Sequence, residues 1–283
     1  MFSIVCVYNN EKVLNDYLLR GLKEQTSSFE LIKVDNTAGT IKSLAEGLNR
    51  GGRGAKGDYI IFMHQDVYLM SGEWLEKAEF FLRKIPDLGV AGIAGMRKAK
   101  TAGVFKVGTI PVENRVCFIY QGPEKEPKVY GNTFTEPIEV QTLDGQLLIV
   151  PGSVFANIQF DEKTCDGWHL YDADYSLSVK KAGLKTYVLP LPVWHLSSGF
   201  LDNEYYMTLN KILKKHRREK VIYTTCGLWY TSNFFNCLNL ILMAIKGGIG
   251  RWIGRNNYGA GPFIRTIKLL LGGQKVNSST GAK

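Results

Sequence analysis

An apolar run that stops abruptly in a polar cluster constrains this chain most: Gly57-Asp58-Tyr59-Ile60-Ile61-Phe62-Met63-His64-Gln65-Asp66-Val67. A short continuous apolar run of this kind reads as a strand buried on both faces, as in a parallel sheet covered by helices. Such a strand delivers the residues that follow it to the carboxyl edge of the sheet, where open α/β folds bind ligands. His64 and Asp66 alternate with Gln65, so in an extended chain they point to the same side. An imidazole and a carboxylate on one side can hold a divalent metal, and a metal can hold a diphosphate. An ordinary strand end followed by a polar turn is the plainer reading of the same residues.

The flanking sequence supports such a sheet. Residues 2–8 predict a strand, and Asn9-Asn10 opens a turn into a helix with Val13, Leu14, Tyr17, Leu18 and Leu22 at helical spacing. A second strand, 30–34, stops at Asp35-Asn36-Thr37, and a short helix is expected over 40–49. Gly51-Gly52-Arg53-Gly54 reads as a turn. After the 59–63 strand come a helix over 74–85 and a strand over 89–93. This alternation predicts a parallel α/β sheet with right-handed crossovers. The middle, 97–150, changes character, with strand-like runs at 116–120 and 146–150 separated by Gly/Pro turns. Helical pattern returns over 168–182, and a strand follows at 185–189. From about residue 205 the chain reads as helical and amphipathic, ending in a frayed tail, Asn277 to Lys283. The expected organisation is a domain over 1–204 and an extension over 205–283.

The apolar fraction, 45% of 283 residues, is that of a globular chain with a large core. Five scattered cysteines (Cys6, Cys117, Cys165, Cys226, Cys237) form no C-x-x-C pair and read as buried small hydrophobes in a reducing compartment. The first residues lack a basic n-region and a cleavage site, so a cytoplasmic location is expected. Charge is uneven. Residues 1–199 hold 22 basic and 23 acidic side chains, while residues 200–283 hold 13 basic and 3 acidic. The net charge of +9 therefore lies wholly in the C-terminal part, which implies an anionic partner.

Three strand ends converge at one edge of the expected sheet: Tyr8-Asn9, Asp35-Asn36 and His64-Gln65-Asp66. No G-x-G-x-x-G follows the first strand and no G-x-x-x-x-G-K-[ST] occurs, which disfavours dinucleotide and P-loop chemistry. In Asp166-Gly167-Trp168-His169-Leu170-Tyr171-Asp172-Ala173-Asp174, two carboxylates open a helix. Asp172, beside Trp168 and His169, is placed to accept a proton from an attacking hydroxyl. Asp174 is equally a first-turn acid that favours the positive end of the helix dipole. His195, in Val193-Trp194-His195, can reach the same sheet edge or serve as a structural histidine. His216, within Lys214-Lys215-His216-Arg217-Arg218, reads as solvent-exposed.

The ordered set S-I-V-C-V-Y-N-N, I-K-V-D-N-T, G-D-Y-I-I-F-M-H-Q-D-V, D-G-W-H-L-Y-D-A-D-Y and V-W-H resembles the family-2 glycosyltransferases over roughly residues 1–200. The resemblance implies the GT-A fold, an α/β fold with a Rossmann-like, mostly parallel central sheet. It also implies inverting transfer from a nucleotide-sugar, usually UDP-linked, with Mn²⁺ or Mg²⁺. On that resemblance Asp35 reads the nucleotide base near Tyr8, with Asn36 and Gln65 in the donor site. His64-Gln65-Asp66 falls on the metal-binding D-x-D, with Asp66 as the retained acid. His195 completes the metal site, Asp172 is the general base, and Asp174 is the final acid of the motif. Asp144-Gly145 falls on an acceptor-side turn, with Trp168 and His169 beside the acceptor. Two positions depart from the pattern. His64 replaces the first acid and favours Mn²⁺, which tolerates nitrogen better than Mg²⁺. Tyr171 stands where an acid precedes the base.

Two other functions remain compatible with the residues. A nucleotidyltransferase would need a Gly-rich basic phosphate loop after the first strand, where this chain has Tyr8-Asn9-Asn10-Glu11. A nucleotide-sugar-binding or scaffolding module with an inactive site is kept open by His64. In the extension, the apolar run from Phe234 to Lys246 falls short of the roughly 20 residues that cross a bilayer. Trp229, Tyr230 and Trp252 flank it, Arg251 and Arg255 follow, and Phe263 to Leu271 carries Arg265 and Lys268. Basic amphipathic helices with aromatic borders suit an anionic membrane surface. A helical cap or a homo-oligomer interface is the alternative. Nucleic acid is disfavoured because the aromatics sit among long aliphatic runs. The expectation is a peripheral enzyme on the cytoplasmic face, acting on a glycan or lipid-linked acceptor in polysaccharide biosynthesis.

Overall fold

A computed structural model of the chain describes residues 1–99, 108–109, 111–197, 199 and 201–232. The expected apolar segments at 234–246 and 263–271, their flanking Trp252, Arg251 and Arg255, Cys237 and the tail lie outside the described residues. β1 (Phe2–Tyr8) leads into a helical stretch in which α1 (Glu11–Leu14) and α2 (Arg20–Lys23) join through a π-helical segment, Asn15–Leu19. The chain continues through β2 (Phe29–Asp35), α3 (Leu44–Gly52), β3 (Tyr59–Met63), β4 (Val67–Leu69), α4 (Trp74–Leu82), β5 (Leu88–Gly92) and β6 (Ala94–Met96). Five strands follow: β7 (Arg115–Gln121), β8 (Lys128–Gly131), β9 (Ile138–Glu139), β10 (Thr142–Leu143) and β11 (Leu147–Pro151). The remainder is α5 (Gly152–Asn157), α6 (Tyr171–Lys181), β12 (Lys185–Val188), β13 (Val193–His195), α7 (Asn203–Lys215), β14 (Val221–Thr224) and β15 (Gly227–Tyr230).

The central sheet has seven strands in the order β2-β1-β3-β11-β5-β12-β9. β1 runs parallel to β2 and β3, β5 runs parallel to β12, and β11 lies antiparallel between β3 and β5. The reversal of β11 matters for function. It sets the start of β11 beside the end of β3, and His64 N–H donates to the Gln146 carbonyl at 3.0 Å. Asp144 and Gly145 thereby arrive at the same edge as His64. A second sheet, β10-β6-β7-β13-β4, carries β13 antiparallel to β4, with His195 opposite Val67.

Both faces of the inner strands β1, β3, β11 and β5 are buried, which is why these strands are almost continuously apolar. Ile4, Cys6, Ile61, Met63, Leu147 and Ile149 face α1, α2 and α4, through Leu14, Leu18, Leu22, Trp74 and Leu75. Their neighbours Val5, Ile60, Phe62, Leu148 and Val150 face α3, α5 and α6, through Leu44, Leu48, Phe155 and Tyr175. Helix starts follow their caps. The Asn10 side chain accepts from Val13 N–H, Ser43 from Glu46 N–H and Asp202 from Tyr205 N–H.

Four expectations are corrected here. Gly51 and Gly52 belong to α3 and are buried, not part of an open turn. A Cβ on Gly51 would collide with Val5, and one on Gly52 would lie 2.5 Å from the Phe155 ring. These glycines let α3 lie close on the sheet. The helical pattern expected from residue 205 holds for α7, but 221–230 form a β-hairpin. α7 spans the boundary expected at 204 and 205. Tyr205, Leu209, Ile212, Leu213 and Trp229 join the core beneath α6, so Trp229 is no surface border. His216 is buried, and its Nε2 lies 2.8 Å from Asp174 Oδ1. Among the described residues no helix is long and apolar enough to cross a membrane.

Candidate active site

The ends of β3 and β13 bring together His64, Asp66 and His195. One ligand atom from each lies within 4.8 Å of the others. Asp66 follows β3 and precedes β4, so its direction is set by both strands. Its Oδ2 accepts Ser197 N–H at 3.1 Å and its Oδ1 lies 3.4 Å from His195 Nε2. Asp66 is 7% exposed. Burial opposes its ionisation, but the His195 hydrogen bond, the two imidazoles and the Ser197 side chain outweigh it and hold the carboxyl well below the usual range. His64 is shifted the other way. Burial, then His195, lowers the affinity of its ring for a second proton. The result is a carboxylate beside a ring that stays neutral, which is the form in which imidazole binds metal. The donor set of one carboxylate and two imidazoles fits a divalent transition ion.

A cavity of about 640 Å³ opens beside this cluster, and His64 and His195 lie on its wall. Asp144, Gly145, Trp168, His169, Tyr171 and Asp172 line it as well, so the expected acceptor-side residues and the expected base share one space with the two histidines. Asp172 lies in the first turn of α6. The residue before that helix, Leu170, has φ of 62°, the left-handed region. It is the only non-glycine with positive φ among the described residues. This costs roughly 1–2 kcal/mol for an L-residue and turns the chain sharply into the helix. Burial, then the nearby Asp144 charge, raises the Asp172 carboxyl to about 7, while the N–H groups of Ala173, Asp172 itself and Gly145 pull the other way. A carboxyl that ionises near neutrality is suited to general-base work. Asp144 Oδ2 accepts the Thr225 hydroxyl at 2.7 Å.

The donor-side residues stand apart from that cavity. Tyr8 and Asp35 face each other across the β1–β2 ladder at the same sheet edge. Asp35 is exposed and accepts Thr37 N–H at 2.8 Å. That bond, with the Thr37 and Tyr8 hydroxyls, lowers its carboxyl pKa. Asn36 and Gln65 are engaged within the fold. Asn36 Oδ1 accepts Ile41 N–H at 2.9 Å. Gln65 Oε1 accepts Asn9 and Asn10 N–H at 3.1 and 3.0 Å, which clips the end of β1 to the loop that carries His64 and Asp66. Asp174, 1% exposed, turns away from the cavity to His216 and Lys215.

Four wall residues carried no functional signal in the sequence. Thr225 and Cys226 form the two-residue loop of the β14–β15 hairpin, a pattern hidden beneath the helical reading. Burial pushes the Cys226 thiol up to about 12, so it is no nucleophile. Arg115 and Tyr130 reach the wall from β7 and β8. Arg115 Nε is buried with no hydrogen-bond partner. A larger cavity, about 890 Å³, lies at the opposite edge of the sheet around Tyr59, Pro151 and Phe155, away from every group above.

No curated protein matches the sequence. Several solved structures share the fold. A mannosyltransferase from Pyrobaculum calidifontis, solved with GDP-Man and Mn²⁺, is 12% identical with a TM-score of 0.51 over 95% of this chain and 84% of that one. TarS residues 1–349 from S. aureus, solved with UDP, is 15% identical with a TM-score of 0.52 over 95% and 80%. GalNAc-T7, solved with UDP, GalNAc and Mn²⁺, is 13% identical with a TM-score of 0.51 over 75% and 47%. These likenesses show the GT-A fold. The sequence itself matches the glycosyltransferase like family over residues 3–216, three-quarters of its length, and the chain belongs to that family.

Proposed function

We propose that the protein is an inverting, metal-dependent glycosyltransferase that moves a hexosyl unit from a nucleotide-sugar, most simply a UDP-sugar, to a hydroxyl of a glycan or lipid-linked acceptor. The observation that carries this reading is the single cavity whose wall holds two histidines of the metal-ligating cluster and Asp172. Solved relatives of the same fold hold GDP-Man with Mn²⁺ and UDP-GlcNAc, which supports a nucleotide-sugar donor here. His64, Asp66 and His195 are the residues that would hold the ion, and two imidazoles favour Mn²⁺ over Mg²⁺. The chemistry a divalent ion supplies at such a place is neutralisation of charge on the departing diphosphate.

The protein's own groups do the rest. Tyr8 and Asp35 border the nucleotide base. Trp168, 39% exposed, offers an aromatic face to the acceptor sugar. Asp172 takes the proton of the acceptor hydroxyl as the new glycosidic bond forms and the sugar–diphosphate bond breaks. Attack from the face opposite the leaving group inverts the anomeric carbon, and no covalent sugar–protein bond is needed. The test is product formation from a panel of nucleotide-sugars with Mn²⁺, with the anomeric configuration read by NMR. Retention of configuration rejects the direct displacement. Mn²⁺-dependent donor binding without any product supports the binding-module alternative instead.

The segment beyond the hairpin is the natural membrane-docking element. Residues 233–283 hold 7 basic and no acidic side chains. Lys211 and Lys215, by contrast, are already paired with Asp166, and with Asp161 and Asp174. An anionic cytoplasmic membrane surface is the partner this charge fits.

A further inference from the structure

The two positions at which the sequence departs from its family pattern touch each other. His64 Nε2 lies 2.9 Å from the Tyr171 hydroxyl, and the same hydroxyl lies 2.8 Å from the Gly145 carbonyl oxygen. A carbonyl oxygen only accepts, and a tyrosine hydroxyl has one proton to give. That proton goes to Gly145. The contact to His64 is then a hydrogen bond only if Nε2 carries the proton and donates it to the tyrosine oxygen. A neutral imidazole has a single N–H, so Nδ1 is left with the lone pair. The opposite tautomer would make the hydroxyl donate to His64 and leave the buried Gly145 carbonyl without this donor.

The hydroxyl is held in place. Tyr171 is 4% exposed, and its ring packs edge-on against Phe160 at 5.9 Å between centroids. Gly145 has no Cβ, and one built there would collide with the tyrosine hydroxyl. The glycine of the acceptor-side turn thus makes room for Tyr171.

We propose that Tyr171 is a positioning residue that locks His64 as the Nε2–H tautomer and so makes Nδ1 its metal-ligating atom, an inference that rests on the metal reading of His64, Asp66 and His195. An outer partner that fixes tautomer and ring orientation commonly changes metal affinity by about 10- to 100-fold. An acid at position 171 would also have brought further negative charge beside Asp172; tyrosine brings none.

Two measurements test this. In the metal-free parent protein, long-range ¹H–¹⁵N NMR of the His64 ring is expected to show a protonated Nε2 and a bare Nδ1. A proton on Nδ1 overturns the proposal, and this readout needs no variant. In a Mn²⁺ titration followed by electron paramagnetic resonance, Tyr171→Phe is expected to weaken binding by at least about 10-fold. The same change made in a His64→Ala background is expected to have less than about a two-fold effect, because Tyr171 acts only through His64. Equal weakening in both backgrounds overturns the proposal, since it marks a general structural role. Unchanged affinity in Tyr171→Phe overturns it as well. A parent protein that binds no Mn²⁺ overturns the metal reading and the proposal with it.

Discussion

Asp144→Asn tests the electrostatics of the proposed base. The Asp172 carboxyl rises from 3.8 to about 7, first through burial and second through the Asp144 charge. That rise corresponds to about 4 kcal/mol against the charged form. Asparagine is nearly isosteric with aspartate, and its amide oxygen can still accept the Thr225 hydroxyl now bonded to Asp144. What it removes is one negative charge, worth on the order of one pH unit, or roughly 1.4 kcal/mol, together with the long contact in which Asp144 Oδ1 accepts Gln146 N–H at 3.3 Å. As the proposed base, Asp172 can act only when ionised, so turnover is expected to climb as pH rises through its pKa. The acidic limb of turnover, measured at saturating donor and Mn²⁺, is expected near neutrality in the parent and about one unit lower in the variant. Stability provides a second readout with a definite sign. A carboxyl whose folded pKa is raised contributes stability that is present below its unfolded pKa and lost as pH rises through the folded pKa. The parent therefore loses stability between about pH 4 and pH 7 from this group, and the variant loses about 1.4 kcal/mol less. An acidic limb that stays put in the variant refutes the coupling. A parent limb in the ordinary carboxylate range refutes Asp172 as the buried base.

Further expectations follow from the same geometry. Asp172→Asn keeps the shape of the site but cannot accept a proton; turnover should fall by about 10²-fold or more with donor affinity nearly unchanged, and a drop of only a few-fold moves the base elsewhere. Asp66→Asn retains an acceptor for Ser197 N–H but loses the anionic ligand, so calorimetry should show Mn²⁺-dependent donor binding abolished, and unchanged affinity removes Asp66 from the metal site. Deletion of residues 233–283 leaves α7 and the hairpin in place, and should preserve the circular dichroism of the catalytic body while releasing the protein from anionic liposomes. An intact protein that fails to co-sediment with such liposomes at low salt rejects the membrane reading.

What the sequence revealed follows physical range. β1 and β3 were legible because burial of both faces writes an unbroken apolar run into a few adjacent residues. Asp66, Asp172 and His195 were legible because strand ends and helix starts put polar residues where a local pattern breaks. The direction of β11 was not legible, since a short apolar run is the same read either way. Gly51 and Gly52 were misread because the reason for them is Val5 and Phe155, which approach from other elements. His216 was misread for the same reason. Its neighbours in sequence are cations, and its buried partner, Asp174, lies 42 positions away. The His64–Tyr171 contact joins residues 107 apart, and no periodicity carries information over that distance.

The first turn of α6 sends its two acids in opposite directions, and this ties the proposed base to α7. Asp172 lines the cavity, while Asp174 is anchored to His216 and Lys215, with Lys215 also bound to Asp161 at 2.9 Å. These contacts fix the direction of Asp174 two residues after Asp172, so the same turn that carries the left-handed Leu170 is tied to α7. The last of these residues, His216, is also the last residue matched by the family. The hairpin that follows adds Thr225, whose hydroxyl donates to Asp144 on the wall of the same cavity. Residues 203–230 thus join the glycosyltransferase fold by contact, through the core beneath α6 and through Thr225, and the proposed base Asp172 has its Asp144 and Asp174 surroundings in place before residue 233.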